Sequence, residues 1–500
     1  MPMKILQITS ELPQLAQVGG LADMVDGLSR GLVRNGHDVA CLLPAYPATL
    51  AAHGPANDDL TTRFLLDGES VTLIHKAPSP GDPVVLLAAH PLLSRVPGAD
   101  GQSAGGDGVY RLGPGDDDRA SAIRFALFCR IAVLIAENQC GLNWQPEIIH
   151  SHDWPTALVN ALLARRQSPV ARIFTIHNLG YRGLIDRPTF DQLQLSADFW
   201  QPSELEFHGQ CALIKAGLIH AHQVTAVSPT YTREMATPEH GQGLDGLIRY
   251  LGDKLTGVLN GIDIDRWNPA ADPHLPFDYS PTQPFGKTLC KTTLKAWLEL
   301  DSPDDRPLIG FIGRLVDQKG IDLLIGAAPT LLERGCDLVV LGSGQPDYEH
   351  QLRQLAHQYA ADMVVHIGFD AALAHQILAA ADVLLVPSRF EPCGLVQMYA
   401  MRYGTVPVAR RTGGLADSIS DPADASGGQQ TGFLFEGNEP GALIHAVDRA
   451  LTLYHQREAW EDLRNELMTV DWSWTRPVEA YERIYRRALH QAATNGTTTS

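Results

Sequence analysis

The chain has 500 residues, of which 44% are hydrophobic and 19% are charged, so it can bury a large core and is not disordered as a whole. Lys and Arg number 39 against 57 Asp and Glu, and the formal net charge of −18 argues against a protein that coats nucleic acid or an anionic membrane. The seven cysteines are scattered and never form a CxxC pair, which argues against a disulfide scaffold and a cysteine-based zinc site and favours a reducing cytosol.

The sequence contains no run near the ~18 uninterrupted apolar residues that a membrane span requires. Its longest apolar segment, residues 123–136, is interrupted by two arginines and is predicted to be a helix. The N-terminal segment Lys4–Thr9 is followed too soon by an acidic residue and a proline for a secretory signal, so a buried strand is predicted there. We therefore expect a soluble, cytoplasmic protein.

In the N-terminal half, short apolar runs alternate with helical patterns. Leu21, Val25, Leu28 and Leu32 recur at helical spacing, and the pair Asn35-Gly36 predicts the end of that helix. Apolar strands separated by helices are typical of a parallel sheet that is covered on both faces. The strands predicted in this half are Lys4–Ile8, Asp38–Leu43, Glu147–His150, Arg172–Ile176 and Gln223–Ser228.

Five prolines between Trp267 and Lys287 predict a linker, because each proline fixes φ and removes a hydrogen-bond donor. The alternation of strand and helix then resumes, so the predicted fold class is α/β, with two doubly wound domains and a cleft between them. The Gly- and Asp-rich segment Gly98–Asp118 is predicted to be a surface loop. The strands predicted in this half are Leu308–Phe311, Leu338–Leu341, Val364–Ile367, Val383–Val386 and Val406–Ala409.

A glycine-containing loop, Gln17–Leu21, separates the first predicted strand from the first helix. Two glycines in this position let the backbone approach a ligand and direct N–H groups at an anion, although an ordinary strand-to-helix turn would have the same pattern. No GxGxxG follows a strand and no GxxxxGK[ST] occurs, so a nicotinamide-dependent dehydrogenase and a Walker-type ATPase both lose their main support.

Metal-binding patterns are weak in this sequence. His150 and His152 are two residues apart, but no third ligand and no HExxH accompany them. The two DxD-like strings, at 116–118 and 263–265, lie in an acidic loop and beside the linker. We therefore expect no metal site. His177 ends a predicted strand, where open α/β sheets place their chemistry, but a hydrogen-bonded structural histidine fits the pattern equally well.

Two loops in the C-terminal half follow predicted strands and precede helices. Arg314 brings a planar guanidinium and Lys319 a mobile ammonium, and together they suit a diphosphate. A solvated basic loop is the alternative, but the position after a strand favours a ligand site. In the second loop, Glu391 can accept hydrogen bonds from hydroxyl groups. Cys393 lacks an adjacent histidine, so we favour a packed thiol over a nucleophile there.

These motifs occur in order and at family-like spacing, and together they resemble bacterial glycogen synthases and plant starch synthases. Those enzymes are retaining glucosyltransferases that extend α-1,4-glucan from ADP-glucose. The resemblance runs from about Lys4 to about Tyr485. The motifs that carry it are HxHDW (150–154), TxHNL (175–179), VSPTY (227–231), NGID…WNP (260–269), GRLxxQKG (313–320), PSRFEPCGL (387–395) and RTGGLADS (411–418).

The resemblance implies a GT-B fold, in which two Rossmann-like domains face each other across a cleft and a C-terminal helix crosses back to the first domain. The implied helix includes Trp474–Leu489. The expected bounds are an N-terminal acceptor-side domain at 1–266, the linker at 267–287, a nucleotide-sugar-binding domain at 288–472, the crossing helix at 473–490 and a flexible tail at 491–500.

The resemblance also implies roles for individual residues. Arg314 and Lys319 would neutralise the diphosphate, Glu391 would hold glucose hydroxyls, and Asp23 and His177 would line the sugar site; these five are the implied catalytic residues. No metal and no separate cofactor is implied, since ADP-glucose is a substrate. The implied donor-binding residues are Gln17, Gly19, Gly20, Asn260, Phe369 (packing on the adenine), Cys393, Gly394 and Leu395, together with Arg314, Lys319 and Glu391.

The chain departs from the family pattern at three places. Gln17 replaces a lysine, Ala120-Ser121 replaces an Asp-Asn pair, and Val396 replaces a threonine. The expected function is glycogen (starch) synthase, with ADP-glucose and an α-1,4-glucan as its partners and no nucleic acid or membrane. The departures leave two alternatives open: a GT-B glycosyltransferase with a different nucleotide-sugar donor, and a weakly active or inactive glucan-binding regulatory paralogue.

Overall fold

In this computed structural model, the chain divides into two compact units. The first comprises Met1–Val227, Thr232–Gly261 and Trp474–Ser500, and the second comprises Ser228–Tyr231 and Ile262–Ser473. The residues that the structure describes are 2–47, 49–50, 61–76, 78–93, 109–110, 118–423 and 429–497. Most of the predicted surface loop Gly98–Asp118 lies outside them. The first DxD-like string lies outside them as well, apart from its last residue, Asp118.

The described residues form short strands and helices that alternate along most of the chain. The strands are β1 Lys4–Ile8, β2 Asp38–Pro44, β3 Thr61–Leu66, β4 Glu69–Lys76, β5 Val84–Ala89, β6 Ile148–His152, β7 Ala171–Ile176, β8 Leu184–Ile185, β9 Glu206–Phe207, β10 Gln210–Ala212, β11 Gln223–Ala226, β12 Leu255–Gly257, β13 Leu308–Ile312, β14 Asp337–Gly342, β15 Met363–Ile367, β16 Val383–Val386, β17 Val406–Arg410 and β18 Phe433–Phe435. The helices are α1 Gly20–Arg34, α2 Asp118–Ala136, α3 Asp153–Arg165, α4 Arg187–Gln192, α5 Ile214–His220, α6 Pro229–Met235, α7 Asp245–Leu251, α8 Phe285–Trp297, α9 Ile321–Glu333, α10 Pro346–Gln358, α11 Ala371–Ala380, α12 Val396–Arg402, α13 Gly413–Ser418, α14 Pro440–Tyr454, α15 Arg457–Thr469 and α16 Thr475–Thr497.

The first unit contains a nine-stranded sheet in the order β12-β11-β7-β6-β1-β2-β5-β4-β3. The pairs from β12 to β5 are parallel, and the hairpin β3–β4 adds to β5 in antiparallel fashion. A small antiparallel sheet, β8-β10-β9, belongs to the same unit. The chain builds the large sheet outward from β1 in one direction and from β6 in the other, so the strand order reverses between these two strands.

The second unit contains a six-stranded parallel sheet in the order β15-β14-β13-β16-β17-β18. This is the strand order of a Rossmann fold, and it reverses between β13 and β16. The prediction of two Rossmann-like α/β domains is confirmed. Each of the ten predicted strands is present, with ends that differ by at most two residues.

Helix α1 packs its apolar face on the large sheet. Leu21, Val25, Leu28 and Leu32 are all buried, and the chain leaves the helix at Gly36, whose φ of +84° favours glycine. The predicted helix is therefore confirmed. The predicted helix over residues 123–136 is confirmed as well, because α2 contains it.

The C-terminal helix α16 belongs to the first unit and packs closely on α1. A Cβ atom at Gly27 would lie only 1.9 Å from the indole nitrogen of Trp474, and one at Gly31 would lie 2.4 Å from Val478. Only glycine permits this approach at these two positions. The helix runs to Thr497, so residues 491–497 of the predicted tail are helical in this structure. Its buried face continues from Ala488 to Ala492, which keeps the last turns helical.

The Pro-rich segment 267–287 is not a free linker, because it belongs to the second unit, to which the chain returns at Ile262. The Trp267 ring stacks between the rings of His375 and Tyr399, at centroid distances of 4.1 and 3.9 Å. The buried Asp272 carboxylate accepts hydrogen bonds from His375 (2.6 Å) and Tyr403 (2.5 Å). The prolines therefore shape a segment that is fixed by its own aromatic and ionic contacts.

No helix among the described residues is both long enough and apolar enough to cross a membrane.

We predict that Asp272→Ala lowers the free energy of unfolding by about 3 kcal/mol, because it leaves two buried donors without their acceptor. The hydrogen bonds from His375 and Tyr403 outweigh burial, which by itself raises the pKa, and hold the pKa of Asp272 below its ordinary value. Its contribution is thus present above about pH 4 and disappears as the pH falls through the lowered value. Chemical denaturation at several pH values measures the effect.

The exposed Asp301→Ala is the control for this experiment and should change stability little. Equal stabilities of the two variants at pH 7 would contradict the role assigned to Asp272.

Candidate functional site

In each sheet, the candidate residues follow the strands that flank the reversal of strand order. Open α/β sheets bind ligands outside the carboxyl ends of these strands. In the second unit, β13 leads to Arg314 and Lys319, and β16 leads to Glu391. In the first unit, β1 leads to the Gln17 loop, while β6 and its neighbour β7 lead to Asp153 and His177.

The structure brings Lys319 and Glu391 together in the second unit. The ammonium of Lys319 lies 2.5 Å from Oε2 of Glu391, and both side chains are largely buried. The hydroxyl of the buried Ser388 donates to the same carboxylate oxygen at 2.9 Å. Arg314 is exposed and donates to the Gln318 amide oxygen at 3.2 Å. The site therefore contains one paired and one exposed cation.

The loop that carries Glu391 is fixed at both ends. The guanidinium of Arg389 binds both carboxylate oxygens of Asp322, at 2.8 and 2.6 Å. The N–H of Gly414 donates to the Glu391 carbonyl at 3.0 Å, and a Cβ atom at Gly414 would lie 1.9 Å from the carbonyl of Cys393. Cys393 itself is buried, which agrees with a packed thiol. These contacts within the second unit fix the geometry of the loop.

The remaining donor-binding candidates of the second unit are at the ends of elements. Gly394 has a φ of +69°, and Leu395 precedes α12, whose first residue is Val396. Phe369 follows β15 and is 94% exposed. A phenyl ring with so much exposed apolar surface is available for stacking on a planar ligand.

In the first unit, the glycine loop is held by a carboxylate that the sequence did not single out. Oε2 of Glu11 accepts the N–H groups of Val18 (2.7 Å) and Gly19 (2.9 Å). The Gly19 N–H thus has a carboxylate partner within the protein, and its role at a donor anion stays a prediction. Gln17 donates to Asp23 at 3.0 Å, so these two candidates contact each other. Gly19 and Gly20 are exposed, and the space beside Gly19 is open for 4 Å.

The departure at Ser121 acts on the same loop through Tyr110. The Tyr110 hydroxyl donates to Glu11 at 2.6 Å, and burial together with Glu11 keeps the pKa of Tyr110 well above its usual value. The carbonyl of Tyr110 accepts from Arg124 at 2.8 Å and from the Ser121 hydroxyl. Ser121 thus helps to position the side chain that holds Glu11.

His177 is fixed through its backbone. Its N–H donates to Oδ1 of Asp153 at 2.7 Å, and the N–H of Asn178 donates to the same oxygen at 3.3 Å. Asp153 has a φ of +53°, which is rare for a residue other than glycine. Burial raises the pKa of Asp153 to about 7, against the effect of these two hydrogen bonds, and burial lowers the pKa of His177 to about 3. The imidazole of His177 is therefore neutral at physiological pH.

His150 and His152 are fully buried and hydrogen-bonded within the protein. Burial lowers the pKa of both histidines well below the usual value. Among the described residues, no three His, Cys, Asp or Glu side chains are grouped to hold a metal ion. Asp263 of the second DxD-like string accepts backbone N–H groups two and three residues later, as in a turn. The expectation that the protein needs no metal stays a prediction.

Asn260 is 4% exposed and belongs to the first unit. Its Oδ1 atom is buried and has no hydrogen-bond partner within the described part of the chain. Such an oxygen is costly to bury unless a donor reaches it, which agrees with a place close to a ligand.

Two protein-family models match this chain: the starch synthase catalytic domain over residues 4–250, and the glycosyl transferases group 1 over residues 299–464. The glycogen synthase of Cellvibrio japonicus is 46% identical, with 96% of this chain and 98% of that protein covered. The glycogen synthase of Marinobacter nauticus is 42% identical, with coverage of 97% and 98%. The chain belongs to the glycogen and starch synthase family. It is a glycosyltransferase.

The solved structures agree with the family. The catalytic domain of starch synthase IV from Arabidopsis thaliana, bound to ADP and acarbose, has a TM-score of 0.84 and 33% identity, with 98% of this chain and 100% of that chain covered. The sucrose-phosphate synthase of Thermosynechococcus elongatus has a TM-score of 0.60 at 18% identity, which supports the fold alone. The fold of this synthase is GT-B, as predicted.

Sequence reasoning missed Glu11 and Asp153 as organisers of the synthase loops. Each is an acidic residue just after a buried strand, and Asp153 even lies inside the quoted HxHDW motif. That position was a usable signal, because a carboxylate at a strand end commonly accepts backbone N–H groups of the adjacent loop. Which N–H groups it accepts depends on loop geometry, and the sequence does not contain that information directly.

We predict that Gly320→Ala destabilises the second unit by at least about 2 kcal/mol. Gly320 has a φ of +67°, and an added Cβ atom would lie 2.1 Å from the Pro387 carbonyl oxygen. Gly335→Ala is a matched control, since its φ is +80° but its surroundings are open for 4 Å. It should cost only the backbone strain of about 1 kcal/mol. Denaturation curves compare the two variants, and equal losses would show that the contact with Pro387 is unimportant.

Proposed function

We propose that this synthase transfers glucose from ADP-glucose to the non-reducing end of an α-1,4-glucan in the cytoplasm, with retention of configuration and without a metal ion. The observation that carries the proposal is the Lys319–Glu391 pair, beside the exposed Arg314, at the carboxyl ends of β13 and β16. It places cations and a hydroxyl-binding carboxylate in the loops where α/β sheets bind nucleotides.

The chemistry of the reaction explains why these groups are needed. Breaking the bond between glucose and the diphosphate leaves positive charge on the sugar and negative charge on the leaving phosphate. Fixed cations beside the diphosphate stabilise that negative charge as it develops. Arg314 and Lys319 supply two such cations, so a divalent ion is not required.

The other candidates recognise the parts of the donor. Glu391 accepts hydrogen bonds from glucose hydroxyls, and the neutral His177 contacts a further hydroxyl. Asp23, which Gln17 holds at 3.0 Å, serves the same purpose in the first unit. Phe369 stacks on the adenine. These roles are supported by the exposure of Phe369 and by the neutral state of the His177 imidazole.

The departure at Gln17 is the reason for a second candidate, a synthase with a different nucleotide-sugar donor. Gln17 brings no charge to the glycine loop, and its amide is engaged by Asp23. A donor panel separates the two candidates.

The experiment measures the transfer of labelled glucose from ADP-, UDP- and GDP-glucose to glycogen, with and without EDTA. We expect the highest kcat/KM with ADP-glucose and no effect of EDTA. A preference for UDP- or GDP-glucose would replace the proposal by the second candidate. Glycogen binding without transfer from any donor would favour a regulatory paralogue, and EDTA inhibition that Mg²⁺ or Mn²⁺ reverses would refute metal independence.

We predict that Lys319→Ala and Glu391→Ala each lower kcat/KM by at least about a hundredfold, since each removes a charge-assisted contact of about 3 kcal/mol from a desolvated site. Steady-state kinetics with ADP-glucose measures the loss. Arg353→Ala is the control, because Arg353 forms an exposed ion pair with Glu349 one helical turn away and should leave the kinetics unchanged. Turnover near that of the unmodified enzyme in either site variant would exclude the assigned role.

We predict that Phe369→Ala raises the KM for ADP-glucose about five- to tenfold, the effect of losing one stacking contact with a base. The melting temperature should stay the same, because a side chain that is 94% exposed contributes little to the core. Tyr250→Ala removes another ring, 85% exposed in the first unit, and should alter neither quantity. An unchanged KM in Phe369→Ala would mean that the ring does not contact the donor.

A further inference from the structure

Seven side chains of the first unit form an unbroken series of hydrogen bonds that ends at His177. The series crosses four adjacent strands of the large sheet and includes one residue of the C-terminal helix. Six of its members are fully buried, and His177 is partly exposed. In order, the members are Thr225, Thr175, His150, Tyr485, Gln7, His152 and His177.

In the part of the series next to His177, each group donates its hydrogen bond in the direction of Gln7. Oε1 of Gln7 can only accept, so the Nε2 of His152, 2.9 Å away, carries the proton. A neutral His152 then has a lone pair on Nδ1. That lone pair lies 3.1 Å from the Nε2 of His177, so this nitrogen carries the proton and donates. A neutral His177 is left with a lone pair on Nδ1, for which the described residues offer no partner.

The part beyond Gln7 has the same polarity. The amide nitrogen of Gln7 donates to the Tyr485 hydroxyl at 3.2 Å. The Tyr485 hydroxyl accepts from Gln7 and therefore has its proton for Nδ1 of His150, 2.8 Å away. Nε2 of a neutral His150 then carries the proton and donates to Thr175, 2.6 Å away. In this arrangement each of the three histidines carries one ring proton and is neutral. Consecutive groups that both donate and accept strengthen one another's hydrogen bonds.

We infer that Gln7 and Tyr485 are positioning residues, which hold His177 in the tautomer whose Nδ1 accepts a hydrogen bond from a sugar hydroxyl. Gln7 sets the direction, because its amide has one accepting and one donating end. Tyr485 accepts from the donating end of that amide and satisfies His150 at the same time. The sugar as the ligand of Nδ1 rests on the proposed function, whereas the tautomer of His177 does not.

The lowered pKa values of the three histidines agree with this assignment. Burial lowers the pKa of His177 to about 3 and lowers the pKa of His150 and His152 well below the usual value. Burial also raises the pKa of Tyr485 well above its usual value, so its hydroxyl keeps the proton that it donates.

The tautomer can be measured without enzymatic activity. Nitrogen-15 NMR of the full-length protein with labelled histidine distinguishes protonated from unprotonated ring nitrogens, and His177→Ala identifies the signals of His177. We expect a protonated Nε2 and an unprotonated Nδ1. Signals of the opposite tautomer, or of a doubly protonated ring at pH 7, would overturn the inference whatever the enzyme's substrate is.

Two variants test the positioning role. Gln7→Glu has nearly the same shape but places a buried carboxylate beside His152, which favours the protonated ring and moves the proton of His177 to Nδ1. Tyr485→Phe keeps the packing of the ring but removes the hydroxyl that orients Gln7. Each variant should lower kcat for glucosyl transfer about tenfold, the effect of one hydrogen bond, with little change in the KM for glycogen.

Ser151→Ala is the matched control. Ser151 lies on β6 between the two histidines, is fully buried, and bonds to Ile173 and Asn160 outside the series. This variant should lose stability but keep both the tautomer and kcat. If Gln7→Glu does not fold, Tyr485→Phe and the NMR of the unmodified protein still decide. Kinetics of Tyr485→Phe equal to those of Ser151→Ala would refute the positioning role and leave the proposed function intact.

Discussion

The central strand β6 places three polar side chains in the interior of the first unit, and that unit is built to satisfy them. His150, Ser151 and His152 are fully buried, so water cannot supply their hydrogen bonds. Ser151 points away from the histidines and bonds to the backbone of β7 and to α3. The histidines need partners from β1 and from the C-terminal helix. Docking of α16 on this unit therefore supplies a hydroxyl as well as apolar surface.

In the second unit, the buried polar groups are charged lysines, and carboxylates are among their partners. Helix α8 directs Lys287, Lys291 and Lys295 inward, one helical turn apart, and each is at most 6% exposed. Lys291 lies 2.7 Å from Asp382, and Lys295 lies 3.0 Å from Asp337. These two carboxylates are at the amino ends of β16 and β14. The buried ion pairs thus stabilise the edge of the sheet opposite to the candidate site. The stability of this unit and the chemistry of its candidate site therefore depend on different residues.

The sequence allowed ten of the parallel strands to be predicted, because strands buried on both faces are continuous apolar runs. The parallel strands β5, β12 and β18 were missed. The hairpin β3–β4 was missed because its strands are half exposed and mix polar with apolar residues. Its turn did carry a signal: Asp67-Gly68 is a two-residue Asp-Gly connection, and both residues have positive φ. The buried face of α8 could not be predicted, since lysines one turn apart are typical of a solvated face.

The same difference applies to the site. Lys319 and Glu391 could be found from the sequence because each follows an apolar run that ends at the carboxyl edge of the sheet. Gln7 and Tyr485 could not, because they are 478 positions apart and only the fold brings them together. A buried glutamine in a first strand and a tyrosine in a last helix are ordinary core residues until their partners are known.

The glycine loop of the first unit and the Lys319 loop of the second unit carry different charges. In the first unit, Glu11 already accepts the N–H groups of Val18 and Gly19, and the Gln17 amide donates to Asp23. Two carboxylates therefore surround a loop that would otherwise attract an anion, in a chain whose net charge is −18. In the second unit, by contrast, Arg314 and Lys319 bring two cations to the loop after β13. Glu391 holds the ammonium of Lys319 in place, and a cation that is held in this way loses less conformational entropy when it contacts an anion.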